Sequence, residues 1–310
     1  FTFFRRAYFP HYCLVGGDSR LHEWLDAELP RMADAPEGVR LAIAAPRGEA
    51  KSTFVSLFFV LWAVLTGRKH YILIIADALE QAASLLGAVK DELEFNEALK
   101  RDFPGAGKGH VWNVGTVVTP GNVKIQALGA GKRMRGLRHG PHRPDLIVLD
   151  DLENDGNVDK PEQRDKLQSW LQKTVLNLGA ADGSMDVVYV GTLLHYDSVL
   201  ARTLRKPLWK ARTFRSILRW PDRMDLWDEW ESLLSSRGEA EARRFYRQHR
   251  VKMEAGAEVS WPASRPLYRL MCLRAEDREA FDSEQQNDPL SANEAPFNGC
   301  ITFWVDRSRD

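Results

Sequence analysis

Short apolar runs alternate with longer helical stretches through most of the chain. The runs that predict β-strands are 39–44, 71–76, 123–128, 146–149, 187–190 and 210–214, and the helical stretches include 54–65, 80–94 and 161–178. Apolar strands that are separated by helices are typical of a parallel sheet with helices on both faces. The pattern therefore predicts an α/β fold built on a mainly parallel sheet.

The remaining segments have other patterns. Residues 105–121, rich in glycine, predict a loop and hairpin. After residue 195, tryptophans among short amphipathic pieces broken by proline predict a smaller, mostly helical subdomain. We expect a core over 1–195, a lid subdomain over 196–265, and a return segment and linker over 266–310. The aromatic side chains near the start either pack against the core or, with Arg5 or Arg6, face an adenine base; they are Phe3, Phe4, Tyr8, Phe9 and Tyr12.

Composition narrows the class of protein. The 310 residues are 44% hydrophobic and 28% charged, as in soluble globular proteins, and the net charge is zero, so nucleic-acid affinity requires local basic patches. The longest apolar run, 54–65, is shorter than the roughly 20 residues that cross a bilayer. Cys13, Cys272 and Cys300 are widely spaced, which predicts reduced thiols in a cytosol and neither a disulfide nor a zinc site.

A candidate phosphate-binding loop lies between the first predicted strand and the next helix. It reads Ala45-Pro46-Arg47-Gly48-Glu49-Ala50-Lys51-Ser52-Thr53. In such a loop the backbone N–H groups point at the anion, the lysine reaches the outer phosphates, and the hydroxyl that follows binds Mg²⁺. Ala45 and Ala50 stand where the motif has glycine. Since alanine at positive φ costs about 1 kcal/mol, either Ala50 has negative φ or the loop differs in detail.

Two acids end the strand predicted at 146–149. Asp150 and Asp151 follow this apolar run directly, and the carboxyl ends of parallel strands are where open α/β sheets bind ligands. One acid can hold Mg²⁺ through a water, and the next can orient the water that attacks the γ-phosphate. A buried strand followed by a polar loop explains the acids equally well in isolation. Their pairing with Lys51 and Ser52 favours the nucleotide site.

These motifs together resemble the ATPase domain of the large terminase subunit of tailed bacteriophages and prophages, the motor that packages DNA. The resemblance covers nearly the whole chain and implies an ASCE-type P-loop NTPase fold that uses ATP and Mg²⁺. By this resemblance Arg47 is the early arginine of the loop, and Asp150 binds the metal with Ser52. Asp151 falls at the catalytic acid, which is usually glutamate in the family, so Glu153 is a second candidate.

The resemblance extends to two further motifs. Gly191-Thr192, after the strand at 187–190, resembles the coupling motif that senses the γ-phosphate, although an ordinary strand-end turn explains it better when it is taken alone. The segment with Arg135 and Arg138 resembles the one that supplies an arginine finger across a subunit boundary, with Arg135 favoured. In the family a nuclease domain follows the ATPase. Its metal-binding acids are not recognisable here, so we expect no nuclease activity.

The resemblance also implies the partners. They are double-stranded DNA, a homo-oligomeric ring (a pentamer on the portal), the portal protein and the small terminase subunit, with no membrane, in the host bacterial cytoplasm and docked on the procapsid. Two basic stretches without acids favour contact with DNA phosphates, although the second suits a solvated face or a subunit contact equally well. They contain Lys132, Arg133, Arg135, Arg138 and Arg143, and then Arg202, Arg205, Lys206, Lys210, Arg212, Arg215 and Arg219.

Three alternatives stay open. A helicase-like ATPase that acts on single strands uses the same site. A degenerate loop, marked by Ala45 and Ala50, leaves a non-catalytic module that binds DNA or nucleotide. A two-metal nuclease built on Asp150, Asp151, Glu153 and Asp155 is the weakest, because consecutive acids on one strand point to opposite faces.

Overall fold

A computed structural model describes residues 1–12 and 16–289 of the chain. Cys13, Cys300 and the end of the predicted linker lie outside these residues, while Cys272 is a free thiol. The helices are α1 (Thr2–Tyr8), α2 (Arg20–Ala33), α3 (51–65), α4 (Leu79–Phe95), α5 (Glu97–Asp102), α6 (Asp155–Val158), α7 (Pro161–Lys173), α8 (Val199–Leu204), α9 (Met224–Arg237), α10 (Glu239–Glu254), α11 (Leu267–Glu276) and α12 (Arg278–Glu284).

The strands are β1 (Arg40–Ala44), β2 (Tyr71–Ala76), β3 (Val111–Trp112), β4 (Thr116–Val118), β5 (Lys124–Gly129), β6 (Leu146–Asp150), β7 (Asp186–Gly191), β8 (Lys210–Thr213), β9 (Ile217–Arg219) and β10 (Glu258–Val259). Eight of them form one sheet in the order β3-β4-β5-β2-β6-β7-β1-β8. The pairs from β5 to β8 are parallel, and only the β3–β4–β5 edge is antiparallel. All six predicted strands and the predicted hairpin are confirmed.

One strand, β7, lies between β1, which leads into the loop, and β6, which carries the acids. This is the strand order of ASCE-type P-loop NTPases, the fold class that the sequence predicts. The central strands are apolar throughout because helices cover both faces of the sheet. The two faces belong to separate hydrophobic clusters, one containing α2, α3 and α4 and the other α7 and α8.

Helix α3 fills the space behind the loop. It has wide, π-helical turns over Thr53–Phe59 and regular α-helical turns over Val60–Leu65. Its side chains are buried at almost every position, as the unbroken apolar run predicts. π-helical turns are rare and often occur near functional sites. Here they contain Ser56, which contacts the end of β6.

The helices after β9 form a second, smaller unit, which we call the helical subdomain (residues 217–284). Its apolar side chains make a cluster of their own around the buried Trp227 and Trp230, and the indole of Trp227 donates to the Met253 carbonyl at 2.8 Å. The first residues of the predicted 196–265 range pack on the main sheet and are not part of this subdomain. β8 extends the main sheet, and α8 packs its apolar face on that sheet, so the subdomain begins later than the sequence suggests.

The N-terminal aromatic residues divide between core and surface. Phe4 and Phe9 are buried in the core, whereas Phe3 is 80% exposed. The guanidinium of Arg5 is buried and binds Asp18 and Asp26, each at 2.6 Å. Within residues 1–12 and 16–289, no helix combines the length and the apolar character needed to cross a bilayer.

Candidate nucleotide-binding site

The loop after β1 has the backbone of an anion-binding turn. Gly48 has φ +78°, and Ala50 has φ +54°, so the alanine does adopt the left-handed conformation that glycine favours. The strain this implies is about 1 kcal/mol, and the loop accepts it. Helix α3 starts directly afterwards, at Lys51. Its first-turn N–H groups have no helical acceptors, so they remain free to bind an anion.

The side chains that follow the loop meet those at the ends of β6 and β7. The Lys51 ammonium lies 3.2 Å from a carboxylate oxygen of Asp151 and 3.2 Å from the Thr192 hydroxyl. The Ser52 hydroxyl donates to Asp150 at 2.9 Å. The structure thus brings together at one sheet edge the lysine, the serine, both acids and the threonine that the sequence singles out.

Asp150 lies at the bottom of the site with no exposed surface. It accepts hydrogen bonds from Ser52 and from Ser56, one turn further along α3. Burial and the nearby Asp151 carboxylate raise the pKa of Asp150, and these serine hydroxyls and Lys51 oppose that rise. A carboxylate beside a hydroxyl is a set of hard oxygen donors that fits Mg²⁺, and a divalent cation there would favour the ionised acid.

The two candidates for the catalytic acid differ in their surroundings. The Asp151 side chain is 31% exposed, lines the cleft, and sits on a residue with φ +47°, a strained conformation typical of functional sites. Glu153 also lines the cleft, but its carboxylate accepts hydrogen bonds from the Val199 amide at 2.7 Å and the Leu200 amide at 3.0 Å. Its second oxygen also accepts from the Tyr189 hydroxyl. Glu153 therefore holds the start of α8 to β7, and Asp151 is the better placed acid.

These side chains line an open cleft of about 220 Å³. Arg47, Lys51 and Thr192 form one side of it, and Asp77, Asp151 and Glu284 are among the acids. Asp77, at the end of β2, accepts from the amide groups of Asn154 and Asn157. The cleft has polar walls with two cations, Arg47 and Lys51, against five carboxylates, an excess of acid that suits a metal ion bound beside an anion.

A second cavity, of about 560 Å³, lies on the other side of the loop. Ala50 and Thr53 border it, so it adjoins the phosphate loop directly. Its walls are mainly aromatic and include Tyr12, Phe54, Phe58 and Trp261, with Arg6 and Asp18 at the polar end. Of the N-terminal side chains considered for an adenine base, Arg5, Arg6 and Tyr12 line this cavity.

The other side chains of the loop contact the helical subdomain. The Arg47 guanidinium, 68% exposed, binds the Glu284 carboxylate, and the Arg47 amide donates to the Glu284 carbonyl at 2.9 Å. Gly48 packs so closely under Arg265 that a Cβ would lie 1.9 Å from that guanidinium. The left-handed φ favours glycine here, while the contact is with the flexible end of Arg265, which can shift.

Glu49 is fully buried between the core and the helical subdomain. One of its oxygens accepts from the Ser260 hydroxyl at 3.3 Å, and the other has no hydrogen-bond donor among the described residues. Burial raises the pKa of Glu49 to about 7, although Ser260 and Arg265 oppose the shift. Its side chain therefore supports the loop from beneath, outside the cleft.

The candidate arginine fingers lie away from the cleft. Arg135 and Arg138 are exposed on the loop between β5 and β6 and line neither cavity. Together with Lys132, Arg133 and Arg143 they form an exposed basic segment, 132–143, that makes no ion pair within the described part of the chain. Any role for these cations requires a second molecule.

The second basic stretch has a different environment. Arg202 binds Asp197 and Asp165, each at 2.6 Å, and Lys210 binds Glu28. Arg215 lies 3.5 Å from Asp288. Three of the seven cations of this stretch are thus paired, and apart from Asp197 their partners come from distant parts of the chain that local sequence does not show.

Several residues of the site escaped the sequence-based prediction. Ser56 follows Ser52 at the spacing that shares a helix face, and that spacing was a usable signal. Asp77 follows strand β2 as Asp150 ends β6, so its position at a strand end was also visible. Glu284 and Trp261 carry no such signal, because they reach the site from a distant part of the chain.

Solved structures that are similar to this chain include two of one phage protein. The large terminase ATPase domain of Thermus phage P74-26 matches with a TM-score of 0.42 and 15% identity, over 84% of this chain and 92% of that chain. An arginine-to-alanine mutant of that domain matches with a TM-score of 0.39 and 13% identity, over 83% and 90%. No protein-family model and no curated protein matches the chain. At low identity, the chain is therefore similar to an ATPase domain of the family whose motifs it resembles.

Proposed function

We propose that this protein hydrolyses ATP with Mg²⁺ and uses the energy to move double-stranded viral DNA into a procapsid, as the ATPase of a large terminase subunit. The observation that carries the proposal is the meeting of Lys51, Ser52, Asp150, Asp151 and Thr192 at one edge of the sheet. Their chemistry suits a triphosphate with its metal ion, and they extend from three adjacent strands.

Each side chain has a role that follows from its position. Backbone N–H groups of the loop and of the first turn of α3 bind the phosphates, and Lys51 exchanges Asp151 for the outer phosphates. Ser52 and Asp150 would hold Mg²⁺, which would neutralise charge on the β- and γ-phosphates. Without nucleotide, Lys51 forms an ion pair with Asp151, so that neither charge is left unpaired before the phosphates bind.

Asp151 then becomes free to orient the attacking water. The water oxygen bonds to the γ-phosphorus as the bond to the bridging oxygen of ADP breaks, and Asp151 accepts the proton of the water. The Thr192 hydroxyl touches Lys51 and donates to the Ala45 carbonyl at 3.2 Å, so it links the end of β7 to the loop. A change at the γ-phosphate thereby reaches β7.

The aromatic cavity beside the loop suits the base of the nucleotide. Flat apolar side chains stack on a purine, and the Arg6–Asp18 pair, 2.7 Å apart, supplies a donor and an acceptor at its edge. The exposed basic segment 132–143 suits partners outside the chain. We assign Arg135, with Arg138 as second choice, to the cleft of a neighbouring subunit in a ring, and the other cations to DNA phosphates.

The test is Mg²⁺-dependent ATP hydrolysis by Lys51→Ala. Loss of the ammonium from the phosphates should lower the rate by at least about a hundredfold, with the fold intact by circular dichroism. Lys252→Ala, an exposed lysine in the helical subdomain, is the matched control and should keep the wild-type rate. Equal hydrolysis by wild type and Lys51→Ala would refute the assignment.

The alternative functions give other results in related measurements. A helicase-like ATPase is stimulated more by single-stranded than by duplex DNA, whereas a packaging motor responds to the duplex. A degenerate, non-catalytic module either binds no ATP at millimolar concentration, with or without Mg²⁺, or binds ATP without hydrolysing it. Both comparisons use the same protein and buffer, so they separate the three functions directly.

A further inference from the structure

We propose that Glu284 is an internal competitor of the nucleotide for Arg47, and that the segment 284–287 reports nucleotide binding to the helical subdomain. The inference rests on the proposed nucleotide site and concerns Glu284 and the residues after it, which no sequence motif indicates. Its starting point is that both cations on the loop side of the cleft are already bound to carboxylates, Lys51 to Asp151 and Arg47 to Glu284.

Glu284 occupies the cleft wall at the point where phosphate is expected. Both Arg47 and Glu284 line the cleft, and the Glu284 side chain is 27% exposed. A carboxylate and a phosphate oxygen are both acceptors for a guanidinium, but they repel one another. A nucleotide phosphate that takes Arg47 must therefore displace the Glu284 side chain.

The residues after Glu284 contact segments next to the cleft and the helical subdomain. The Gln285 side chain accepts from the Ser216 hydroxyl at 3.1 Å and from Arg265, the residue that covers Gly48. The Asn287 side chain accepts from the Leu193 amide at 2.9 Å, next to Thr192. A displacement of Glu284 would therefore move both Arg265, which covers Gly48 of the loop, and the backbone that follows β7.

The segment is also poised to move. The segment is about 95% buried at Gln285, Gln286 and Asn287. The side-chain amide nitrogen of Gln286 has no acceptor among the described residues. Asn287 has φ +50°, in the left-handed region. An unpaired buried donor and a strained backbone both lower the cost of leaving this arrangement, since the next arrangement can relieve them.

The test is nucleotide affinity measured by calorimetry with Mg²⁺–ADP on the full chain. Glu284→Gln keeps the shape of the side chain but removes its charge, so Mg²⁺–ADP should bind roughly two- to fivefold more tightly, the range of an exposed ion pair. In the Arg47→Ala background the same change should have no effect. Glu279→Gln, on the exposed face of α12, is the matched control and should bind as wild type.

A second readout is hydrogen exchange of the Leu193 and Arg47 amides, which donate to Asn287 and Glu284. Nucleotide should change their exchange rates in the wild type, and Glu284→Gln should show part of that change without nucleotide. Unchanged affinity in Glu284→Gln, or an equal effect in the Arg47→Ala background, would overturn this inference alone. Failure of the wild type to bind ADP would overturn the nucleotide site and the inference with it.

Discussion

The charges of the cleft and those of the basic segment 132–143 lie in opposite environments. Lys51 is 7% exposed and pairs with Asp151, while Asp150 is fully buried and accepts from two serines. The side chains of the basic segment are exposed and make no ion pair within the described residues. Buried, paired charges act on what enters their own cleft. Exposed, unpaired charges act on another molecule.

The first way to test this comparison is to remove one cation of each kind and mix the proteins. Arg135→Ala should lower ATP hydrolysis about a thousandfold, the typical value of an arginine finger, in conditions where subunits assemble. Mixing it with Lys51→Ala should restore activity, because an intact cleft then meets an intact arginine in mixed rings. The measurement is the ATPase rate against the mixing ratio.

The control for mixing is Arg138→Ala, treated in the same way. If Arg138 is the arginine finger, Arg138→Ala should be the variant that loses activity and regains it on mixing with Lys51→Ala, and Arg135→Ala should not. No rescue by either variant in assembled rings would contradict the trans role of the basic segment and leave DNA contact as its function.

The second prediction separates the two acids near the end of β6. Asp151→Asn should lower the rate of hydrolysis by about 10²–10⁴-fold, since the acceptor for the proton of the attacking water is lost. Glu153→Gln should cost less activity and more stability, because Glu153 binds the Val199 and Leu200 amides. Rates and melting temperatures of both variants are to be measured together. The reverse ranking would make Glu153 the catalytic acid.

The third prediction concerns the pH dependence of stability at Glu49. Its pKa is raised from its ordinary value of 4.5 to about 7, so the folded state retains a proton that the unfolded chain releases. The free energy of unfolding is therefore highest, as far as Glu49 decides it, below pH 4.5, and it falls as the pH rises to about 7. Glu49→Gln should therefore stabilise the protein at pH 8 by up to about 3 kcal/mol and give no gain at pH 4.

Urea unfolding at the two pH values measures this difference. Glu37→Gln changes an exposed carboxylate and is the matched control. A gain from Glu49→Gln that is the same at both pH values would show that packing, and not ionisation, explains it.

The smallest expected effect is on the salt dependence of duplex binding. Replacing Lys132 and Arg133 by alanine should reduce the slope of log affinity against log salt by about 2, because each lost phosphate contact removes about 0.9. Replacing Arg202 and Lys210 should change the slope less, because acids of the chain already neutralise them. Equal changes in slope would remove the distinction between the two basic stretches.

The sequence predicts the sheet well and the contacts of distant segments poorly. Six strands and the position of the acids follow from local apolar runs, which in a parallel sheet must be buried whatever surrounds them. The neutralisation of Lys210 by Glu28 and the contact of Arg47 with Glu284 depend on residues far apart in the chain. Local patterns carry no information about such pairs.

The boundary of the helical subdomain shows the same limit. Composition changes after residue 195, but α8 and β8 still pack on the main sheet, because an apolar helix face and a free sheet edge were available to them. Glu153 is a related case. Its spacing after Asp150 suggests catalysis, and only the fold shows that its carboxylate is engaged by the amides of α8.

The insertion of β7 between β1 and β6 has a consequence for how far the loop sequence can drift. The distance from the amine-bearing turn to the acidic strand equals two inter-strand steps, about 9.6 Å, and backbone hydrogen bonds set that gap regardless of loop composition. Alanines can thus replace glycines at positions 45 and 50 while the reacting groups keep their separation. The loop sequence can therefore diverge, because the sheet sets the distance between the lysine and the acids.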